Sequence, residues 1–283
     1  MPRGATHRAA GGLATFAART AYAGRLMNLR VFQTEQEAAS TCAARIAEAV
    51  RHTPELVLGL VTGRSPLNVY RNLVELAARG ALDLSRATTF NVDEFLGLPP
   101  EDAGSFRAYM DRHLFRHVNL STERIHFFDG CAPDAEAECA RYDAALAAAG
   151  GLDLLLLGVG PNGHIAFNEP GEVLTATSHR ARLSRETRLS HVMAFGDDPS
   201  KVPMAALTLG MAAVLQARKV VVLAFGVNKA AAVTAMVHGP LTPRWPASLL
   251  QLHRDVELWL DTGAASGLHG RRLDEARTRH DGT

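Results

Sequence analysis

Runs of four to eight apolar residues alternate along this chain with segments whose apolar residues recur at helical spacing. That alternation constrains the fold more than any other feature. The strand-like runs fall at residues 29–32, 56–61, 87–90, 152–159, 220–225 and 256–260, and the helix-like segments at 34–50, 66–79, 105–117, 134–149 and 228–238. Parallel neighbours in a sheet need a long crossover, which a helix supplies, so the pattern predicts an α/β fold with a mostly parallel sheet. Ligands of such sheets bind beyond the carboxyl ends of the strands, and the loops that follow the strands are where chemistry is expected.

The rest of the chain narrows the class. With 283 residues, 47% hydrophobic and 21% charged, it can bury a large core, and one α/β domain over residues 27–262 is expected. A formal charge of +1 leaves no field to hold it on nucleic acid or an anionic membrane. The expected partner is therefore a small molecule, with homo-oligomerisation left open. Cys42, Cys131 and Cys139 show no CxxC or zinc-like spacing, and an odd number cannot pair fully within one chain, which fits a reducing cytoplasm. No apolar run reaches the roughly 18 residues that span a bilayer. Residues 1–26 are rich in Ala, Arg and Gly without an acidic residue, and read as an over-long start or a targeting leader. Residues 263–283 are polar and poor in large apolar side chains, as in a loosely held end.

Four strand-end loops carry candidate chemistry. After the run 56–61 comes Thr62-Gly63-Arg64-Ser65-Pro66 and then a helix. Gly63 permits close backbone approach, Thr62 and Ser65 offer hydroxyls, and a helix N-terminus attracts an anion. The loop reads either as a phosphate cradle or as an ordinary turn capped by Ser65. It lacks the GK[ST] ending of a Walker A loop. The next loop places Asp93 and Glu94 among Phe90, Val92 and Phe95, where partial burial would raise a carboxyl pKa and favour a general base; either acid could instead cap the next element.

The third loop, Gly158 to Pro170, formally contains GxGxxG, but Pro170 and Gly171 interrupt the helix that a dinucleotide site requires. Its glycines let backbone approach a ligand, while Asn162, His164 and Glu169 bring an amide, an imidazole and a carboxylate to one strand end. The fourth, Gly226-Val227-Asn228-Lys229, puts a cation near a helix start, where the macrodipole disfavours it unless an anion is bound nearby. A solvated lysine is the alternative. His113 and His117 have i,i+4 spacing but no HExxH pattern or carboxylate partner, and read as a solvated face.

Taken together, TGRSP, FNVDEFLGL, GVGPNGHIAFNEP, GVNKA and WPASLLQLH occur in the order seen in the glucosamine-6-phosphate deaminases, and the chain resembles that family from about Met27 to Asp261. The resemblance implies a doubly wound, three-layer, Rossmann-like α/β architecture and a reaction without metal or cofactor. It implies that His164, oriented by Glu169 and joined by Asn162, opens the sugar ring, and that Asp93 removes the C2 proton. Thr62, Gly63, Arg64, Ser65 and Lys229 would hold the phosphate. The chemistry asks for the same types: a C2 proton beside a carbonyl needs a positioned base, and ring opening needs a group that exchanges a proton near pH 7.

Two departures from the family pattern stand out. Many deaminases carry Asn-Ser-Arg before a Phe-Phe pair, with the arginine on the phosphate, whereas this chain reads His191-Val192-Met193-Ala194-Phe195, so Arg64 is the candidate to supply the lost charge. In 177–182, the basic and hydroxyl residues that bind an acetylated activator in allosteric members do not line up, and no such activation is expected. Three other readings compete. A lactone hydrolase of the 6-phosphogluconolactonase type would share the fold without needing the Asp93 loop. A galactosamine-6-phosphate deaminase would differ by one inverted hydroxyl. A sugar-phosphate sensor would need a DNA-binding module, for which 26 leading residues are too few.

Overall fold

The computed structural model describes residues 27–268; the leader at 1–26 and residues 269–283 lie outside the described residues. In chain order the elements are β1 (Asn28–Phe32), α1 (Glu35–His52), β2 (Val57–Leu60), α2 (Arg64–Ala78), β3 (Thr88–Asn91), β4 (Asp93–Phe95), α3 (Phe106–His113), β5 (Ile125–His126), α4 (Ala135–Ala148), β6 (Leu154–Gly158), β7 (His179–Arg182), α5 (Arg185–Ser190), β8 (Ala205–Thr208), α6 (Met211–Gln216), β9 (Lys219–Ala224), α7 (Ala230–His238) and β10 (Val256–Asp261). Seven strands form one sheet in the order β1-β10-β9-β6-β2-β3-β5, and every pairing in it is parallel.

Strand side chains point alternately to opposite faces, and the sequence supplies apolar residues for both. Leu155 and Leu157 of β6 join a core with Tyr142 of α4, Val214 of α6 and Met236 of α7. Leu154 and Leu156 join a second core with Ile46 of α1, Leu73 of α2 and Met110 of α3. The result is the expected doubly wound α/β architecture with a helical layer on each side of the sheet. Local signals start the helices where the layers need them: Thr34 accepts from the Glu37 N–H at the head of α1, and Asp134 from the Glu136 and Ala137 N–H groups at the head of α4.

The structure departs from the sequence pattern at four points. The helix expected over 105–117 breaks after His113, and a 3-10 turn over Phe115–His117 follows, which lets both Leu114 and Phe115 reach the core. The helix expected from Asn228 begins at Ala230, after a 3-10 turn over Val227–Lys229. A separate antiparallel sheet, β4-β8-β7, has no counterpart among the apolar runs. Its strands are only three or four residues long, and β7 (HRAR) buries Ala181 alone. The tail expected from Gly263 is not loose at its start: Ala264, Ala265 and Leu268 are buried in the core that includes α7.

Cys42 and Cys139 are buried and Cys131 is exposed, all three free. Burial pushes the Cys42 thiol up to about 12 and that of Cys139 up to about 11, so neither serves as a nucleophile near neutral pH.

Candidate active site

From β2 the chain extends the sheet through β3 and β5, then returns to the other side of β2 to add β6, β9 and β10. Where strand order reverses in this way, the loops after the neighbouring strands diverge and leave a crevice. A cleft of about 480 Å³ opens there, lined by residues that follow β2 (Thr62 to Ser65), β3 (Asp93), β6 (Gly158 to Pro161, and His164) and β9 (Asn228, Lys229). All four loops singled out in the sequence therefore meet on one cavity.

One end of the cleft is built for an anion. Gly63 N-caps α2 at φ 112, and no side chain caps that helix, so the N–H groups of its first turn are left for a ligand. Lys229 lines the same cleft, at the N-cap of α7. Burial lowers its pKa below the ordinary lysine value, with Glu186 opposing. Among the described residues neither Lys229 nor Arg64 has a carboxylate in ion-pair contact. Arg64 itself is exposed at the rim.

The two acids after β3 part company. Glu94 turns away from the cleft and accepts from the N–H groups of Phe95 (2.8 Å), Phe106 and Arg107 (2.9 Å each) and from Ser105 Oγ (3.0 Å), fixing the head of α3. The expectation that either acid could be the base is thus corrected for Glu94: its lone pairs are spent on a helix N-terminus. Asp93, its neighbour on the strand, points to the opposite side and lines the cleft while buried. Burial first, and the nearby Glu94 charge second, raise its carboxyl well above the ordinary aspartate range.

The β6 loop folds back on itself. Gly163 N–H donates to Gly160 O (2.9 Å) and Gly160 N–H to His164 O (3.0 Å). A Cβ on Gly160 would run into the His164 ring, and one on Gly163, at φ 85, into the Trp245 indole, so only glycine fits either place. No helix follows, consistent with rejecting a dinucleotide fingerprint. Asn162 joins the pair behind the imidazole: its Oδ1 accepts from the His164 N–H (3.1 Å) and its Nδ2 donates to Glu169 Oε2 (3.1 Å). Glu169 Oε2 lies 4.0 Å from His164 Nδ1. Burial pushes His164 down to about 4 against the pull of Glu169, with Lys229 adding to the depression.

The sequence profile of the family described as "Glucosamine-6-phosphate isomerases/6-phosphogluconolactonase" matches residues 32–259. The chain belongs to this family. Among the family's glucosamine-6-phosphate deaminases, that of Halothermothrix orenii is 43% identical over 240 residues, covering 85% of this chain and 99% of the relative. The second glucosamine-6-phosphate deaminase of Giardia intestinalis is 43% identical over 244 residues, covering 86% and 93%. A solved structure of a monomeric glucosamine-6-phosphate deaminase superposes with a TM-score of 0.83 at 36% identity, covering 86% of this chain and all of the other. A 6-phosphogluconolactonase from Trypanosoma cruzi, at a TM-score of 0.68 and 20% identity over 86% of this chain and 97% of its own, shares the fold. No helix among the described residues is long and apolar enough to cross a membrane, and no group of three His, Cys, Asp or Glu side chains among them is placed to hold a metal ion.

Four residues at the site have roles that the sequence pattern does not announce. Thr187 Oγ1 lies 3.3 Å from His164 Nδ1, nearer than Glu169, and also accepts from Ser184 Oγ (3.0 Å). Ser184 N–H donates to the second oxygen of Glu169 (3.3 Å), so the head of α5 holds both partners of the imidazole. The Ser-x-x-Thr spacing signals only a helix cap, which Ser184 also provides. His191 lines the cleft, whereas Met193, two residues later, is 85% exposed and lies outside it. Trp245 matters through its contact with Gly163, a pairing that no local spacing announces.

Proposed function

We infer that this protein converts glucosamine 6-phosphate and water into fructose 6-phosphate and ammonia. One observation carries the reading: a buried carboxyl, Asp93, and a partly buried imidazole, His164, line the same cleft as the unpaired cation Lys229 and the open N-terminus of α2. A sugar whose phosphate is held by Lys229 and the first turn of α2 reaches with its other end toward these two groups.

At that end His164 moves a proton from the anomeric hydroxyl to the ring oxygen, which breaks the C1–O5 bond and frees the open-chain aldehyde. Glu169, tied to Asn162 and Ser184, supports the ring as charge builds on it. Asp93 then takes the proton from C2; the electron pair forms the C1–C2 double bond while the carbonyl pair moves onto O1, which takes a proton from the substrate's ammonium to give the enolamine. Protonation at C1 leaves an imine at C2. Water adds to it, and ammonia departs with the C–N bond. A carboxyl raised by burial is a stronger acceptor than an ordinary aspartate, which suits the C2 step, and general catalysis of this kind contributes about 10² to 10⁴-fold. Arg64, exposed at the rim, adds charge on the phosphate side in place of the family's arginine.

Incubation with glucosamine 6-phosphate in the presence of a chelator, with ammonia and fructose 6-phosphate followed together, tests the reading. Equal amounts of the two products are expected. Hydrolysis of 6-phosphogluconolactone with no ammonia from the amino sugar would replace it with the lactonase reading.

A further inference from the structure

His191 follows α5 and opens a 3-10 turn over Val192–Phe195. Three phenylalanine rings grip its imidazole: Phe95 edge-on at 5.5 Å and 88°, Phe106 at 5.7 Å and 47°, and Phe167 at 5.8 Å and 65°. Those rings belong to the core beneath the small antiparallel sheet, which fixes the imidazole in place. One side of it faces the cleft shared by Asp93 and His164. Among the described residues no side chain or backbone group hydrogen-bonds its ring nitrogens, whereas the ring of His164 in the same cleft has Thr187 beside it.

Burial pushes His191 down to about 4, with the nearby His164 adding to the effect, so the ring is neutral at pH 7 and offers one N–H donor and one lone pair. A rigid, neutral group of that kind does not compete with Lys229 for phosphate. Its chemical complement is a hydroxyl, which both gives and takes a hydrogen bond. In the closed-ring form of a hexosamine phosphate with its phosphate at Lys229 and its C2 at Asp93, the free hydroxyls between those anchors are at C3 and C4. We propose that His191 is a specificity-determining residue that hydrogen-bonds the C3 or C4 hydroxyl of the sugar. The assignment rests on the deaminase reading above. Sites that hydrogen-bond a substrate hydroxyl discriminate strongly, because the protein group is left unpaired when the hydroxyl is missing or misplaced.

The test measures kcat and KM for glucosamine 6-phosphate and for its C4 epimer, galactosamine 6-phosphate, in the wild type, H191F and H191N. Phenylalanine keeps the aromatic packing and removes the polar edge; asparagine keeps a donor and an acceptor. H191F is expected to lose about tenfold or more in kcat/KM for glucosamine 6-phosphate, mainly through KM, as one lost hydrogen bond requires. H191N is expected to regain part of that loss. A preference between epimers that shrinks in H191F assigns the contact to C4, and an equal fall for both assigns it to C3. An H191F enzyme with wild-type KM for both sugars overturns the proposal, and so does an H191N enzyme that regains nothing. Circular dichroism and melting establish that each variant is folded, and H191L is read by the same criteria if H191F is not. A wild type that releases ammonia from neither sugar refutes the functional reading and this assignment with it. An active wild type beside an unaltered H191F refutes the assignment alone.

Discussion

Replacing Asp93 by Asn should make the protein more stable at neutral pH while stopping its chemistry. The native carboxyl is raised, by burial and then by Glu94, above the 3.8 of an unperturbed aspartate. Over the range from 3.8 up to the raised native pKa, the folded protein holds a proton that the unfolded chain has released. Stability changes with pH in proportion to protons bound in the unfolded state minus those bound in the native state, and here that difference is negative. The wild type therefore loses stability as pH rises through this range, at up to about 1.4 kcal/mol per pH unit for one proton. Asparagine does not titrate. The stability of D93N minus that of the wild type should grow with pH at this rate until the native carboxyl ionises, and level off above. Urea denaturation of both proteins at matched pH values from 5 to 8 measures the difference, from which the titration of groups that do not interact with Asp93 cancels. Turnover should fall in parallel by about 10² to 10⁴-fold. Stability curves that run parallel for the two proteins, or a D93N enzyme that retains its rate, would refute the argument that burial builds the base.

Four further outcomes are expected. His164 and His191, both held near 4, are neutral when folded, so the unfolded chain takes up protons first; the stability they contribute is complete above 6.5 and drains as pH falls toward 4. Each contributes a slope of about 1.4 kcal/mol per pH unit, and denaturation of H191F should show a shallower acid limb than the wild type. Gly163→Ala forces a Cβ into the Trp245 indole at φ 85 and should cost about 1–3 kcal/mol in thermal or urea unfolding. Lys229→Ala should weaken substrate binding and inhibition by inorganic phosphate about tenfold or more, with a smaller loss for Arg64→Ala, whose unchanged affinity would dismiss its compensating role. Thr187→Val removes the hydroxyl beside His164 Nδ1 and should shift the acid limb of the kcat/KM profile, with Thr187→Ser restoring it.

The polar residues around His164 show how far local pattern reaches. Asn162, His164 and Glu169 lie within eight residues of one another, and the glycines between them force a tight loop, so their meeting was legible from spacing. From the head of α5, Thr187 reaches the imidazole of His164 and Ser184 the carboxylate of Glu169, 23 and 15 residues along the chain, across a segment with no regular apolar period. Asp93 and Glu94 pose the opposite case. They are adjacent and chemically alike, and the strand pattern shows only that they face opposite ways.

What the sequence determined by itself was the alternation of strands and helices, and with it the parallel sheet, the strand-end loops and the residue types they carry. Those follow from periods of two and about 3.6 residues, which are properties of neighbours along the chain. Which acid sits in the cleft, how far burial moves Asp93 and His164, and the capture of His191 by three phenylalanines were decided only by the tertiary structure. Desolvation and ring contacts depend on side chains brought together from distant segments, and no local period records that meeting.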